Sequence, residues 1–339
     1  MMGFGWCKMY KISVIIPIYN SSKYLRTCLN SLVNQTLDNI EIIAIDDNSC
    51  DNSWKILLEY EEKYRNIKIY HNERNLGQGR CRNIGIKIAN GRYIGFVDSD
   101  DYINPNMYKT MYEGGLKEGN PDIVNTGLLF VRDDAYANKN LSFMNRRNNG
   151  LVIEPKKNPE SILDISPSVC NKIFKKDFIE QYKFLENCCW EDIAFSIVTF
   201  MKAKKILIFN NPDYFYRRDI SRGVSSINYK ENNHILDIFK INDEIINSAK
   251  KYKKDTIFKN QIKTLVFANC FQRAHEMNYW NVSKSKLEKL KFQFFDLIFK
   301  KYGNLDNIDA EILSVKVDFN VIDEYKEFIN KYYKSVQKR

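Results

Sequence analysis

The sequence predicts an α/β protein: a mostly parallel sheet with helices on both faces, followed by a helical C-terminal subdomain. Two observations carry that expectation. Four short, largely apolar runs, ISVIIPI (12–18), EIIAI (41–45), IKIYH (67–71) and YIGFV (93–97), alternate with segments whose apolar residues recur at helical spacing, and strands without polar alternation belong to sheets buried on both faces. Beyond about Asn228 the text changes to lysine-rich helical spacing.

In chain order, ISVIIPI is the first strand. SKYLRTCLNSLVNQ (22–35) then places Leu25, Cys28, Leu29, Leu32 and Val33 on one helix face. After EIIAI, the stretch DDNSCDNS offers Asp51 or Ser53 as the cap of a helix carrying Trp54, Leu57, Leu58 and Glu61. IKIYH is followed by the loop NERNLGQG and a helix through Ile84 and Ile88, with Gly91 as its expected C-cap. YIGFV is the fourth strand and DIVNTGLLFV (122–131) a fifth; 132–150 reads as an irregular excursion and 160–186 as mixed. Residues 188–201 read as a helix and AKKILIFNNPDYFYRR (203–218) as a strand. These readings give a domain over 10–227, divided into halves at 11–105 and 106–227, and a helical subdomain over 228–339.

Composition narrows the classes. The chain has 339 residues, 44% of them hydrophobic, enough for a substantial core and two domains. Lys and Arg number 52 against 42 Asp and Glu, and the net charge of +10 favours phosphate-bearing ligands, nucleic acid or an anionic membrane. Eight cysteines lack any C-x-x-C pair and only three histidines are present, so zinc spacing is absent and free thiols in a reducing compartment are expected. No apolar run reaches the roughly 18 residues of a membrane span, and GFGWC has no signal-peptide pattern. Met9 offers a second start. A cytoplasmic location is expected, with peripheral contact at the inner membrane face.

In open parallel sheets ligands sit beyond the carboxyl ends of the strands. Those ends collect Pro17, Tyr19 and Asn20, then Asp46 and Asp47, then Asn75 to Gly79, and finally Asp98, Asp100 and Asp101. The last three repel one another unless a cation lies among them, and hard divalent ions take carboxylates together with phosphate oxygens. Taken alone, DSDD fits either such a clamp or a solvated turn before Pro105.

The ordered text KISVIIPIYNSSKYLRTCLNSLVNQT, EIIAIDDNSCDNS and NLGQGRCRNIGIKIANGRYIGFVDSDD resembles the nucleotide-binding half of family 2 glycosyltransferases, the inverting enzymes of the GT-A fold. The likeness runs over about residues 11–105. It implies that Tyr19 stacks on the nucleobase beside Pro17 and that Asp47, next to Asp46, reads the base, usually uracil. It makes Asp98 the ribose-facing acid and Asp100 the principal ligand of Mn²⁺ or Mg²⁺, supported by Asp101. Gly79 falls among the donor-binding residues, and Arg82 and Asn83 match a segment that either contacts the donor or braces the loop.

The same resemblance supplies a base. An inverting transferase must deprotonate the acceptor hydroxyl opposite the leaving diphosphate, and CCWEDIAF (188–195) has the family's Glu-Asp pair, making Asp192 the candidate with Glu191 its neighbour. Alone, such a pair also suits the first turn of any helix. NKIFKKDFI resembles the family's Asn-Lys segment through Asn171 and Lys172, and DYFYRRDISRGVSS offers Tyr216, Arg217, Arg218, Arg222 and Ser225 to a diphosphate, with Gly223 in a closing loop. The implied activity is transfer from a nucleotide-diphosphate sugar, a UDP-sugar first, to a surface-glycan or lipid-linked acceptor. The Lys-, Asn- and Ile-rich composition suits an AT-rich bacterial genome and a capsule, lipooligosaccharide or teichoic-acid role.

Other readings fit less well. A nucleotidyltransferase would carry a glycine-rich basic loop where PIYNSS stands. A dehydrogenase would carry G-x-G-x-x-G after the first strand. A nucleic-acid binder could use the 14% aromatic content, but here the aromatics sit inside apolar segments. The helices after 228 match no motif; KLEKLKFQFFDLIFKKY fits packing against the catalytic domain or an anionic membrane surface.

Overall fold

The computed structural model describes residues 10–132, 135–136, 150–217, 233–280, 282–305, 308 and 319–336. The chain divides into two compact units, Met1–Ser226 and Ile227–Arg339.

The first unit is built on one mixed, mostly parallel sheet. Its strands are β1 (Tyr10–Ile18), β2 (Ile40–Asp46), β3 (Ile67–His71), β4 (Gly91–Phe96), β5 (Tyr102–Ile103), β6 (Ile123–Arg132), β7 (Ala135–Tyr136), β8 (Leu151–Ile153), β9 (Lys172–Lys175) and β10 (Ile206–Arg217). The spatial order is β3-β2-β1-β4-β9-β6-β10-β5, with β7 on β6 and β8 on β10. β3, β2, β1 and β4 run parallel, as do β6 and β10. Each of the first three βα crossovers returns the chain in the same direction, through α1 (Ser22–Val33), α2 (Ser53–Lys63) and α3 (Gln78–Ile88). β9 arrives by the excursion after β6 instead of a helical crossover, and it runs antiparallel to both β4 and β6.

The register carries the chemistry to one edge. Ile18 pairs with Asp46, and Asp46 with His71, so the first three strands end level. β2 is buried along its whole length, which explains its apolar run at 42–45. Asn20 (φ 50°) and Asn48 (φ 61°), the second residue past each of these strands, take left-handed backbone, a conformation asparagine accepts more readily than most residues. Asn20 Oδ1 accepts the Cys50 amide at 2.8 Å, and the Ser49 hydroxyl accepts the Asn20 amide at 3.0 Å, tying the two loops together. Asp51 accepts the amides of Ser22 and Ser53, fixing the starts of α1 and α2 together.

Two expectations need correction. Gly91 does not cap α3; the helix ends at Ile88 and Gly91 opens β4. An added Cβ there would overlap the Ser13 amide nitrogen and crowd the Ile12 carbonyl carbon, so the glycine serves close strand approach instead of a turn. The helix expected over 188–201 is α6 (Glu191–Lys202), which starts only after Trp190 in left-handed backbone, φ 60°. Between them lie α4 (Met107–Lys117) and α5 (Lys176–Ile179).

The second unit consists, among the described residues, of α7 (Asp237–Lys251), α8 (Lys259–Glu276), α9 (Lys284–Tyr302) and α10 (Phe319–Val336), with short 3₁₀ turns. Phe267, Phe271, Phe295 and Phe328 gather round the buried Tyr325 ring, with centroids 5.1 to 6.0 Å away. No described helix is long and apolar enough to cross a membrane.

Gly91→Ala is expected to lower unfolding free energy by at least roughly 2 kcal/mol, because the new methyl meets backbone that cannot rotate away. Urea denaturation with an unchanged midpoint would overturn this reading of β4.

Candidate active site

The buried end of β4 sets the geometry. Val97 still donates to the Ile15 carbonyl (3.1 Å), and the chain then turns, with the Asp101 amide donating to the Asp98 carbonyl at 3.1 Å. Two side chains hold the turn from below: Cys28 Sγ lies 3.6 Å from the Asp98 carbonyl, and the Ser99 and Ser21 hydroxyls are 2.6 Å apart. The end of β10 holds it from the other side. Tyr214 accepts no part of the ladder with its hydroxyl; it donates to Asp101 Oδ2 at 2.6 Å and accepts the Asp98 amide at 3.2 Å. The Arg217 amide donates to Asp101 Oδ1 at 2.7 Å, and Arg217 Nε to the Asp100 carbonyl at 3.0 Å.

The three aspartates therefore differ. Asp101 is buried with both oxygens occupied, and burial, together with the charges of Asp100 and Asp98, holds its carboxyl well above the usual range. Asp100 is exposed at the tip of the turn. Asp98 is half-buried, and its Oδ1 accepts from Arg82 at 2.7 Å.

Arg82 links this turn to α6. It lies on α3, is 2% exposed, and its other terminal nitrogen donates to Glu191 Oε1. Glu191 is fully buried at the first position of α6, and its second oxygen accepts Gln78 Nε2 at 3.1 Å. Gly79 makes room for this pairing: a Cβ there would overlap the Leu185 carbonyl oxygen and crowd Glu191 Cγ. Burial opposes charge on Arg82, but Asp98 and Glu191 outweigh it and keep the guanidinium protonated. Burial, with Asp192 alongside, pushes Glu191 up against the pull of Arg82. Asn83 braces the same loop, exchanging hydrogen bonds with the Phe184 backbone at 2.8 and 3.0 Å and reaching Glu186.

Asp192 follows Glu191 on the first turn of α6. Its carboxyl is raised above the ordinary aspartate value, first by burial and then by Asp98, against the stabilising influence of Arg82, the Ile193 amide and Lys172. Lys172 is buried and donates to Ser166 O (2.8 Å), Ser168 O (2.6 Å) and Asn171 Oδ1 (2.8 Å). Burial pushes its pKa down to about 7. Asn171 Nδ2 in turn reaches the Thr126 carbonyl at 2.5 Å. The Asn-Lys pair thus secures the approach to β9.

At the first strand end Pro17 is buried and the Tyr19 ring is 49% exposed, so an aromatic face is available beside the sheet. The adjacent acids are both buried. Asp47 accepts Leu76 N and Asn72 Nδ2 on one oxygen and Gly77 N on the other, at 2.7 to 2.8 Å. It shapes the loop after β3. Asp46 accepts the Ser49 amide (3.1 Å) and His71 Nδ1 (2.9 Å) through Oδ2, while its buried Oδ1 has no hydrogen-bond partner.

Of the residues singled out in the sequence, the structure joins Gly79, Arg82, Asp98, Asp100, Asp101, Glu191 and Arg217 through direct contacts around one turn. Arg218, Arg222, Gly223 and Ser225 lie outside the described residues. Arg217 engages the turn itself, its guanidinium 4.7 Å from the Tyr24 ring centroid and 5.5 Å from that of Tyr102. Sequence reasoning missed Tyr214 and His71, and held Gln78 only as one of the run Asn75 to Gly79. Tyr214 stood in a quoted strand, but nothing local told that its hydroxyl leaves the ladder for an aspartate 113 positions earlier.

Comparison with known proteins bears on the fold and family. Residues 13–182 match the model of Glycosyl transferase family 2. The minor teichoic acid biosynthesis protein GgaB of Bacillus subtilis is 33% identical over 242 residues, 69% of this chain and 26% of that protein. The glycosyltransferase GlyG of Streptococcus pneumoniae is 32% identical over 222 residues, 61% of this chain and 70% of that one. The poly(ribitol-phosphate) beta-glucosyltransferase of Bacillus spizizenii is 35% identical over 212 residues, 61% of this chain and 32% of that one. The chain therefore spans about a quarter of the first relative and a third of the last. Among solved structures, S. aureus TarS 1–349 in complex with UDP-GlcNAc superposes with a TM-score of 0.69 at 23% identity, covering 96% of this chain and 92% of that one, a likeness of fold. A family model matched over half the chain, on a GT-A scaffold with acids gathered at the strand ends, identifies the chain as a member of glycosyltransferase family 2.

Proposed function

We propose that this glycosyltransferase moves a sugar from a UDP-sugar to a hydroxyl of a surface polymer of the teichoic-acid type or of a related glycan, with inversion by direct displacement. One observation carries the proposal: the turn bearing Asp98 and Asp100 and the helix bearing Asp192 are joined through one buried guanidinium, Arg82, with Asp98 on one side and Glu191 on the other. A donor acid and an acceptor-side acid fixed in a common frame are what single displacement requires.

In this reading Tyr19 stacks on the base, and Pro17 walls the pocket. Asp47 holds the loop around the base through Leu76 and Gly77, and the partnerless buried oxygen of Asp46 is a candidate acceptor for a base or ribose donor group. Asp98 faces the ribose. The donor set fits a hard divalent cation: Asp101 is already saturated, whereas Asp100 is exposed and Asp98 has a second oxygen beyond its bond to Arg82. Asp100 with Asp98 would hold Mn²⁺ or Mg²⁺, which when bound supplies charge neutralisation at the leaving diphosphate. Asp192 removes the proton of the acceptor hydroxyl as its oxygen attacks the anomeric carbon and the bond to the nucleoside diphosphate breaks. Glu191 is occupied by Arg82 and Gln78, so it positions α6 and leaves Asp192 as the base. Teichoic-acid relatives at 33% and 35% identity support the acceptor class. The UDP complex of a protein with the same fold supports the donor.

Calorimetric titration with UDP, GDP, CDP and dTDP, each with Mn²⁺ and with EDTA, tests the donor. UDP binding is expected only with metal and is lost in Asp100→Asn; metal-independent binding would sink the assignment of that residue. Asp192→Asn is expected to lower kcat about 100-fold or more with nucleotide binding intact. Because the carboxyl of Asp192 is raised and must be ionised to act, the acid limb of the kcat/KM profile should lie above the ordinary aspartate value of 3.8 and activity should fall as pH drops through it. Arg82→Met strands two carboxylates and is expected to cost about 3–5 kcal/mol of stability; a wild-type denaturation midpoint would show that the ion pairs do not hold α6 to the β4 turn.

A further inference from the structure

We infer that the outward strip of α9 docks on an anionic phospholipid surface. α9 has two faces. Phe294, Phe295 and Ile298 are buried, and Phe295 packs on Tyr325 and Phe328 at 5.4 and 6.0 Å. Away from them Leu297 is 43% exposed, and Phe292, whose ring meets that of Phe328 with centroids 5.1 Å apart, still leaves 57% of its surface open. At 100° per residue, Lys286, Lys289, Gln293, Leu297 and Lys300 fall on this outward strip, with Phe292 at its flank.

The charges separate in the same way. Lys291 and Lys301 are drawn to Glu324 and Asp243 of neighbouring helices, and Lys300 pairs with Asp296 at 2.7 Å. Lys284, Lys286 and Lys289 are exposed and make no ion pair among the described residues. The first turn holds no acidic residue. A helix that keeps Lys286 and Lys289 unpaired along a strip holding Leu297, with the open side of Phe292 at its flank, suits the headgroup boundary, where lysines meet lipid phosphates and an apolar side chain enters the acyl edge. A soluble polyanion would use the lysines but not Leu297. A second copy of the chain related by a two-fold axis would set lysine against lysine. The nineteen residues of α9, roughly 28 Å long, lie along the surface, since no described helix can span a bilayer.

The test is co-sedimentation of the full chain with phosphatidylcholine vesicles, with and without phosphatidylglycerol, at low and high salt. Binding is expected only with phosphatidylglycerol and is weakened by salt. At about a five-fold loss per lysine, the double variant Lys286→Glu, Lys289→Glu should lower partitioning on the order of 30-fold or more. Leu297→Ser, which leaves the buried face intact, should lower it several-fold with an unchanged thermal melt. No binding to phosphatidylglycerol vesicles, equal binding by both variants, or capture by soluble polyphosphate alone would overturn the proposal. So would a wild-type dimer in light scattering that Leu297→Ser converts to monomer, which would make the strip an interface between copies. Nucleotide titration is independent of all these outcomes, so failure here leaves the donor reading standing.

Discussion

The charge of Arg82 lies where water cannot reach it, and that placement constrains everything around it. A guanidinium stripped of solvent is stable only if its donors meet carboxylates, so Asp98 and Glu191 must remain where they are as long as α3 stays packed. The three groups come from a helix, a strand end and the start of another helix, separated by 16 and 109 positions along the chain. Folding one without the others would leave a buried charge, so the site assembles as a unit. The neighbouring glycine supports the same logic, because Gly79 admits Leu185 and Glu191 to a distance that any side chain would forbid.

A second lock complements the first. Asp101 looks like one of three equivalent carboxylates, yet it is consumed by the end of β10 through the Tyr214 hydroxyl and the Arg217 amide. Those bonds hold the turn from the acceptor side of the sheet, while Cys28 and Ser21 hold it from α1 and its approach. With its backbone fixed from two directions, the turn can keep Asp100 exposed without losing position. An acid that must meet a mobile ligand needs this combination of rigid backbone and accessible side chain.

Much of this was legible in the sequence because the responsible forces are local. Apolar β-branched runs fix the strands, helical spacing fixes α1 to α3, and the register follows from burying every residue of β2. The acids at the strand ends were legible for the same reason. What escaped notice depends on distant partners: Tyr214 is an ordinary strand aromatic until Asp101 arrives, and Gln78 is an ordinary first-turn residue until Glu191 does. Gly91 misled because a glycine after a helix suggests a cap, whereas the constraint is the approach of Ser13 from the neighbouring strand. Glu191 and Asp192 could be paired from the text, where the family resemblance put Asp192 as the base; the structure adds that Glu191 is bound to the buried Arg82.

Asp46 and Asp47 illustrate the same division at the end of β2. Adjacent residues at a strand end point to different sides, and here the sequence pair DD becomes two unlike groups. Asp47 is satisfied by backbone amides of the loop it shapes, so its charge is spent on structure before any ligand arrives. Asp46 is equally buried but holds one oxygen without a partner, beside a histidine whose Nδ1 it fixes. A buried acceptor left unpaired costs about 1–3 kcal/mol, a cost a bound donor group can remove. In the proposed reading, selectivity for a nucleoside would arise in the way sites reject analogues that lack a hydrogen bond: the right ligand would complete a set of bonds that the fold has left one short.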